Sequence, residues 1–244
     1  MWIRALPLAA AAVAAMTLGA CRNGGTGAGD DSDAGVVGAA AVAPVVAAPA
    51  AETRPAADSA ATASPIDLRD VGHDEGSPTA KVTVIEFADF GCPYCGQFSR
   101  EVWPTIRKQY VQTGKVRWKF VPFVMGMFPN GGEAARAGEC AAAQGEPAFW
   151  SMYDRLFERQ PEWKGSSDPA ALFGRYAAEL KLNAGAFNTC YRTDAVRTRT
   201  QAANDAADRL GVRVTPTFFV NGQQVQGALP LEEFEQVLAM ARAR

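Results

Sequence analysis

The chain has 244 residues, 48% of them apolar, with 24 Lys and Arg against 26 Asp and Glu, so it can build a sizeable core and sits close to electrical balance. No basic run or tail interrupts that balance, which excludes a nucleic-acid partner. The first quarter differs so sharply in composition from the rest that it is set apart, and what remains is of single-domain size.

Met1 to Arg4 carry one positive charge, and Ala5 to Ala20 form an uncharged apolar run too short and too Ala-rich for a membrane-spanning helix. This predicts an export signal. The run closes on Leu18-Gly19-Ala20-Cys21, small residues directly before a cysteine, and resembles the lipobox of bacterial lipoproteins. The resemblance implies that residues 1–21 are a lipoprotein signal and that Cys21 carries a lipid anchor. An ordinary signal peptide is the alternative, and it would leave the mature chain soluble in the same compartment. Residues 22–65 contain no aromatic, Leu or Ile and cannot bury enough apolar surface to offset chain entropy. They are expected to form a disordered tether with a reach of roughly 35–40 Å.

Order is expected from Ile66 and becomes firm over Val82 to Phe90. There Val82, Val84, Ile85, Phe87 and Phe90 make the near-continuous apolar run of a strand covered on both faces. From Cys92 to Thr113, Phe98, Val102, Ile106 and Tyr110 recur at helical spacing, which predicts a helix stopped at Gly114 and kinked at Pro104. Val116, Trp118 and Phe120 then alternate with Arg117 and Lys119 as a second strand, completing a β-α-β unit. A helical block is expected from Glu133 to Leu210, with Asp168-Pro169 as an internal helix start and Gly211 as its end. Thr217 to Val220, Asn221-Gly222 and Gln223 to Gln226 read as a hairpin, and Leu231 to Arg242 as a last helix. The order is β-α-β, helical block, β-β-α.

Cys92-Pro93-Tyr94-Cys95 stands where a buried strand turns into a helix. Unpaired N–H groups and the positive end of the helix dipole stabilise a thiolate at the first cysteine of such a turn. Pro93 fits the first helical turn, and Cys95 returns to the same face and can close a small disulfide ring. The competing readings are a zinc half-site and an inert structural pair. His73 is the single histidine and the other cysteines form no second Cys-x-x-Cys, so neither a metal nor a cofactor is expected.

Val84-Ile85-Glu86-Phe87-Ala88-Asp89-Phe90-Gly91-Cys92-Pro93-Tyr94-Cys95, together with Val214-Thr215-Pro216-Thr217-Phe218-Phe219-Val220-Asn221-Gly222, resembles the DsbA-like branch of the thioredoxin superfamily. The likeness runs from about Gly76 to the C-terminus. It implies an α/β thioredoxin-like domain over residues 66–244, with a helical insertion at about 131–210 between the β-α-β and β-β-α halves. It also implies that Pro216 follows a cis peptide bond and packs against the active-site pair, and that Thr215 offers backbone hydrogen bonds to a bound peptide. The residues alone give only a proline before a strand. Glu86 matches the buried acid that thioredoxin-like proteins use to move a proton at the second cysteine, here Cys95. Without the motif, a solvent-facing strand residue would be the plainer reading. Asp89 stands nearer the corner and can merely cap or solvate it.

With Cys21 lipidated and Cys92 paired with Cys95, Cys140 and Cys190 are the two cysteines left in an oxidising compartment. A structural disulfide between them would stabilise the domain by roughly 4 kcal/mol. A second redox pair relaying electrons is the alternative. Trp118, Phe120, Phe149, Trp150, Tyr153 and Phe157 are expected in the core, and His73 at the surface. The loop Met125-Gly126-Met127-Phe128-Pro129 offers adaptable side chains either to a peptide or to packing.

The expected function is disulfide exchange on cysteine-containing exported polypeptides, from the periplasmic side of a bacterial envelope membrane, with a membrane redox partner resetting the active-site pair. An oxidase of moderate strength is expected, because the strongest oxidants of the family carry His at the place of Tyr94, and Tyr94 supplies no positive charge. A reductase or isomerase using the same residues, and a non-catalytic peptide-binding lipoprotein, are the alternatives.

Overall fold

The structure, a computed structural model, describes residues 68–243. The predicted signal, Cys21 and the 22–65 tether lie outside the described residues. The first element is a short strand that carries too few residues to show a period, β1 (His73–Glu75). It pairs antiparallel with β3 (Val116–Pro122), His73 standing opposite Phe120. β2 (Val82–Ala88) runs parallel to β3, placing Glu86 beside Phe120. On its other side β2 pairs antiparallel with β4 (Thr217–Val220), where Glu86 meets Phe218. β5 (Gln223–Gln226) closes the order β1-β3-β2-β4-β5. The hairpin turn between β4 and β5 uses Asn221 at φ 46° and Gly222 at φ 84°, the left-handed pair that makes Asn-Gly a strong turn signal.

The helix expected from Cys92 to Thr113 is broken into α1 (Pro93–Glu101), α2 (Trp103–Ile106) and one π-helical turn (Arg107–Val111). Pro104 accounts for the break at Val102, since it has no N–H to continue the ladder and its ring crowds the preceding turn. Between β3 and β4 stands the helical insertion: α3 (Gly131–Ala142), α4 (Glu146–Glu158), α5 (Gln160–Lys164), α6 (Pro169–Glu179), α7 (Ala184–Arg192) and α8 (Arg197–Arg209). Asp168 caps α6 by accepting the Ala171 N–H at 3.1 Å. α9 (Leu231–Arg242) ends the fold, which is the α/β thioredoxin-like architecture expected from the sequence.

Both faces of the sheet are covered. Val84, Ala88, Trp118, Phe120 and Phe218 lie in the larger core with Phe98 of α1, Tyr153 and Phe157 of α4, and Phe234 of α9. Phe87, Val121 and Phe123 lie in a second core with Ala203, Ala206 and Ala207 of α8. The six aromatics expected in the core are all buried.

His73 is a correction. It is fully buried, not at the surface, with Nε2 3.0 Å from Glu139 Oε1, Nδ1 3.3 Å from Glu146 Oε1, and its ring stacked on Phe149. Burial alone would lower its pKa, but the hydrogen bonds and charges of the two carboxylates outweigh it and raise the value. Both partners come from α3 and α4, so no local pattern around His73 reveals them. Cys140 of α3 and Cys190 of α7 form a disulfide that closes a separation of 50 residues within the insertion.

Candidate active site

The site is built on the corner between β2 and α1. Cys92 is the N-cap of α1, with extended backbone at φ −70° and ψ 126°, and Pro93 opens the helix. No side chain caps this end. The free N–H groups of the first turn therefore face the Cys92 sulfur, where the helix dipole favours negative charge. Cys92 and Cys95 are free thiols. Cys95 is fully buried and Cys92 only 2% exposed, while Tyr94 between them is 65% exposed. Across the corner, the Thr215–Pro216 peptide bond is cis, and the Cys92 Sγ stands 3.4 Å from the Thr215 carbonyl, to which it donates while it keeps its proton.

The two thiols are driven apart in acidity. A hydrogen bond from the Cys95 thiol, above all, holds the Cys92 pKa down at about 6 against the effect of burial, helped by Thr215 and by the Cys95 and Tyr94 N–H groups. Burial, first, and then the neighbouring Cys92 push the Cys95 thiol well above the usual thiol range. At neutral pH Cys92 is the anion and Cys95 keeps its proton. Only a thiolate attacks or is displaced readily, so the arrangement separates a nucleophile at the helix N-terminus, Cys92, from a resolving thiol that keeps its proton, Cys95.

Glu86 lies in the middle of β2 and is fully buried. Its Oε2 accepts the Trp118 indole N–H at 3.2 Å, while Oε1 has no partner among the described residues. Burial pushes its pKa up to about 8, the Trp118 bond offsetting only part of that. The Glu86 charge also acts on Cys95. A carboxyl poised near neutrality beside a thiol that must change protonation can give or take that proton.

Two further side chains hold the corner. Asp89 is buried, its Oδ1 accepting the Gly91 N–H at 2.8 Å and its Oδ2 the Met125 N–H at 2.8 Å. It thus ties the corner to the loop after β3, and Gly131 leaves room for it, since a Cβ there would stand 2.5 Å from Oδ1. Met125 in turn accepts the Thr215 hydroxyl at 3.4 Å through its sulfur. Gln160 of α5, which no sequence motif marks, donates to the Phe90 carbonyl at 2.6 Å and to the Cys92 carbonyl at 2.8 Å. Three of the large apolar side chains left exposed, Tyr94, Met127 and Val214, belong to the active-site dipeptide, the loop after β3 and the segment leading to Pro216.

A thioredoxin family profile matches residues 70–239, more than half of the chain. The chain belongs to the thioredoxin family. Within it the fold is DsbA-like. The crystal structure of α-DsbA1 from Wolbachia pipientis superposes with a TM-score of 0.63 at 26% identity, over 70% of this chain and 91% of that one. Disulfide bond formation protein D of Bacillus subtilis is 26% identical over 166 residues, which are 67% of this chain and 73% of that protein. Na(+)/H(+) antiporter NhaA 3 of Salinispora tropica is 39% identical over 181 residues, 73% of this chain. The match spans only 26% of that antiporter's length. Among the described residues of this thioredoxin-family chain, no helix is long and apolar enough to cross a membrane.

Proposed function

We propose that the chain is a thiol–disulfide oxidoreductase acting on the cysteines of exported polypeptides, an oxidase of moderate strength. The single observation that carries this reading is the placement of two free thiols on one helix corner, Cys92 at the N-cap of α1 facing the cis Thr215–Pro216 bond and Cys95 buried behind it. That arrangement lowers the pKa of Cys92 to about 6 and raises that of Cys95. In the oxidising direction a substrate thiolate attacks the Cys92 sulfur of the Cys92–Cys95 disulfide. Cys95 leaves as a thiolate and takes the proton of Glu86. A second substrate thiolate then attacks the substrate sulfur of the mixed disulfide. The substrate disulfide forms, Cys92 leaves as its stabilised thiolate, and two electrons have passed to the active-site pair. A membrane redox partner of oxidising character removes them. Thr215 and Pro216 line the approach to Cys92, and the apolar side chains of Tyr94, Met127 and Val214 suit an unfolded polypeptide.

Residues 1–21 serve in this proposal as a lipoprotein signal, Cys21 as a lipid anchor on the periplasmic side of an envelope membrane, and 22–65 as a tether. The support is the Leu18-Gly19-Ala20-Cys21 pattern and the polar, small-residue composition that follows it. Cys140–Cys190 is a structural staple in the insertion. A non-catalytic peptide-binding role is the weaker reading, because it leaves the paired thiols and buried Glu86 without a use.

Tyr94 favours a second reading of direction, reductase or isomerase, since it brings no positive charge to the Cys92 thiolate. A Cys92 pKa of about 6 falls between about 3.5 for DsbA and about 7 for thioredoxin. The reduction potential is therefore expected between about −120 mV and about −270 mV. Equilibration of the full chain against glutathione buffers measures it. A value at either extreme defeats the moderate-oxidase assignment, and a thioredoxin-like value supports the reductase or isomerase.

A further inference from the structure

We propose that Gln160 is a positioning residue for the reactive thiol: from the first residue of α5 it reaches into the corner between β2 and α1 and holds the two carbonyls on which the Cys92 sulfur stands. The proposal rests on the oxidoreductase reading and adds to it a physical link between the helical insertion and the chemistry.

The geometry is that of a clamp. Gln160 is 4% exposed, and its amide nitrogen has two hydrogens, which match the two carbonyls it reaches, Phe90 at 2.6 Å and Cys92 at 2.8 Å. The Cys92 carbonyl also accepts the Gly96 N–H at 3.1 Å, the first rung of α1. Two donors on one carbonyl polarise it away from the thiolate and fix the turn whose N–H groups face the sulfur. The chain makes room for this contact at Gly96. A Cβ there would stand 2.6 Å from Gln160 Oε1 and 2.8 Å from Arg100 Nη1. The break that frees Gln160 from α4 is equally local: Arg159 leaves helical geometry at φ −103° and ψ 23°, and Pro161 sits in the first turn of α5. Without the amide, the Phe90 carbonyl in a dry corner loses the Gln160 donor, the Cys92 carbonyl keeps the Gly96 N–H alone, and the first turn of α1 loses its outer support.

The test is the ultraviolet titration of the Cys92 thiolate in the reduced full chain, for the native protein, Gln160→Leu, Gly96→Ala and the double variant. Each single variant is expected to raise the apparent Cys92 pKa by about 0.5–1, a roughly threefold to tenfold loss of thiolate at a pH below it. Gly96→Ala keeps Gln160 but displaces it, and alanine suits a helix interior better than glycine, so α1 itself is not weakened. The double variant is expected to shift no further than the larger single one. An unchanged pKa in folded Gln160→Leu overturns the proposal, and so does an unchanged pKa in Gly96→Ala if Gln160→Leu fails to fold. Additive shifts also overturn it, because Gly96→Ala would then be acting through Arg100. Absence of disulfide exchange in the native protein would instead sink the oxidoreductase reading, which the titration differences do not measure.

Discussion

Cys92→Ser is expected to lower both insulin reduction and oxidation of a reduced substrate by at least about a thousandfold, because a serine hydroxyl cannot be held as an anion where the Cys92 thiol is. Cys95→Ser is expected to behave differently. Its hydroxyl can still donate to the Cys92 sulfur, which is the largest influence holding that thiol near 6. The variant should therefore remain nucleophilic, attack a disulfide once and stop, with the substrate held on Cys92. Non-reducing electrophoresis would show the mixed disulfide in Cys95→Ser, absent from Cys92→Ser and transient in the native chain. Retained turnover in Cys92→Ser, or a trapped adduct there, would assign the nucleophile elsewhere.

Glu86→Gln is the second large effect, and it should move stability and rate in opposite directions. Glu86 has a pKa raised from 4.5 to about 8 in the fold. A raised carboxyl favours the folded state fully below its unfolded pKa, and that advantage is lost as pH rises from about 4.5 through about 8. At pH 7 the native state still holds the Glu86 proton that the unfolded chain has released, and this difference lowers stability by about 3 kcal/mol relative to low pH. Glutamine keeps the acceptor for the Trp118 N–H and removes the ionisation, so the variant should be more stable at pH 7 and nearly equal to the native protein at pH 4. Denaturant unfolding across that range measures the difference. The same change removes the proton partner of Cys95, and exchange should slow by about a hundredfold at pH 7. A stability gap that does not grow with pH would mean that Glu86 is not the buried acid described.

Much of the domain is legible in the sequence because its signals are local. The apolar run of β2, the Asn221-Gly222 turn, the Asp168-Pro169 helix start and the Pro104 break each lie within a few residues of the effect they cause. The strand-to-helix corner at Cys92 belongs to the same class, and so does the spacing of Glu86 from it. What escaped the sequence depends on partners far along the chain. β1 exists because β3 pairs with it, not because His73-Asp74-Glu75 looks like a strand. His73 is buried because Glu139 and Glu146 arrive from two helices of the insertion. Gln160 resembles any helical glutamine until α5 is packed against the corner, 68 residues from the carbonyl of Cys92. Asp89 was visible as an acid near the motif, but its hold on Met125 depends on how the loop after β3 returns.

In the reduced chain, one thiol of Cys92-Pro93-Tyr94-Cys95 is an anion at neutral pH while the other keeps its proton. Thiolate absorbance of the reduced full chain, titrated against pH beside Cys92→Ser, tests it most directly. A single thiolate appearing with an apparent pKa of about 6, and lost in Cys92→Ser, is the predicted result. No thiolate below pH of about 8, or one that persists when Cys92 is serine, would contradict it.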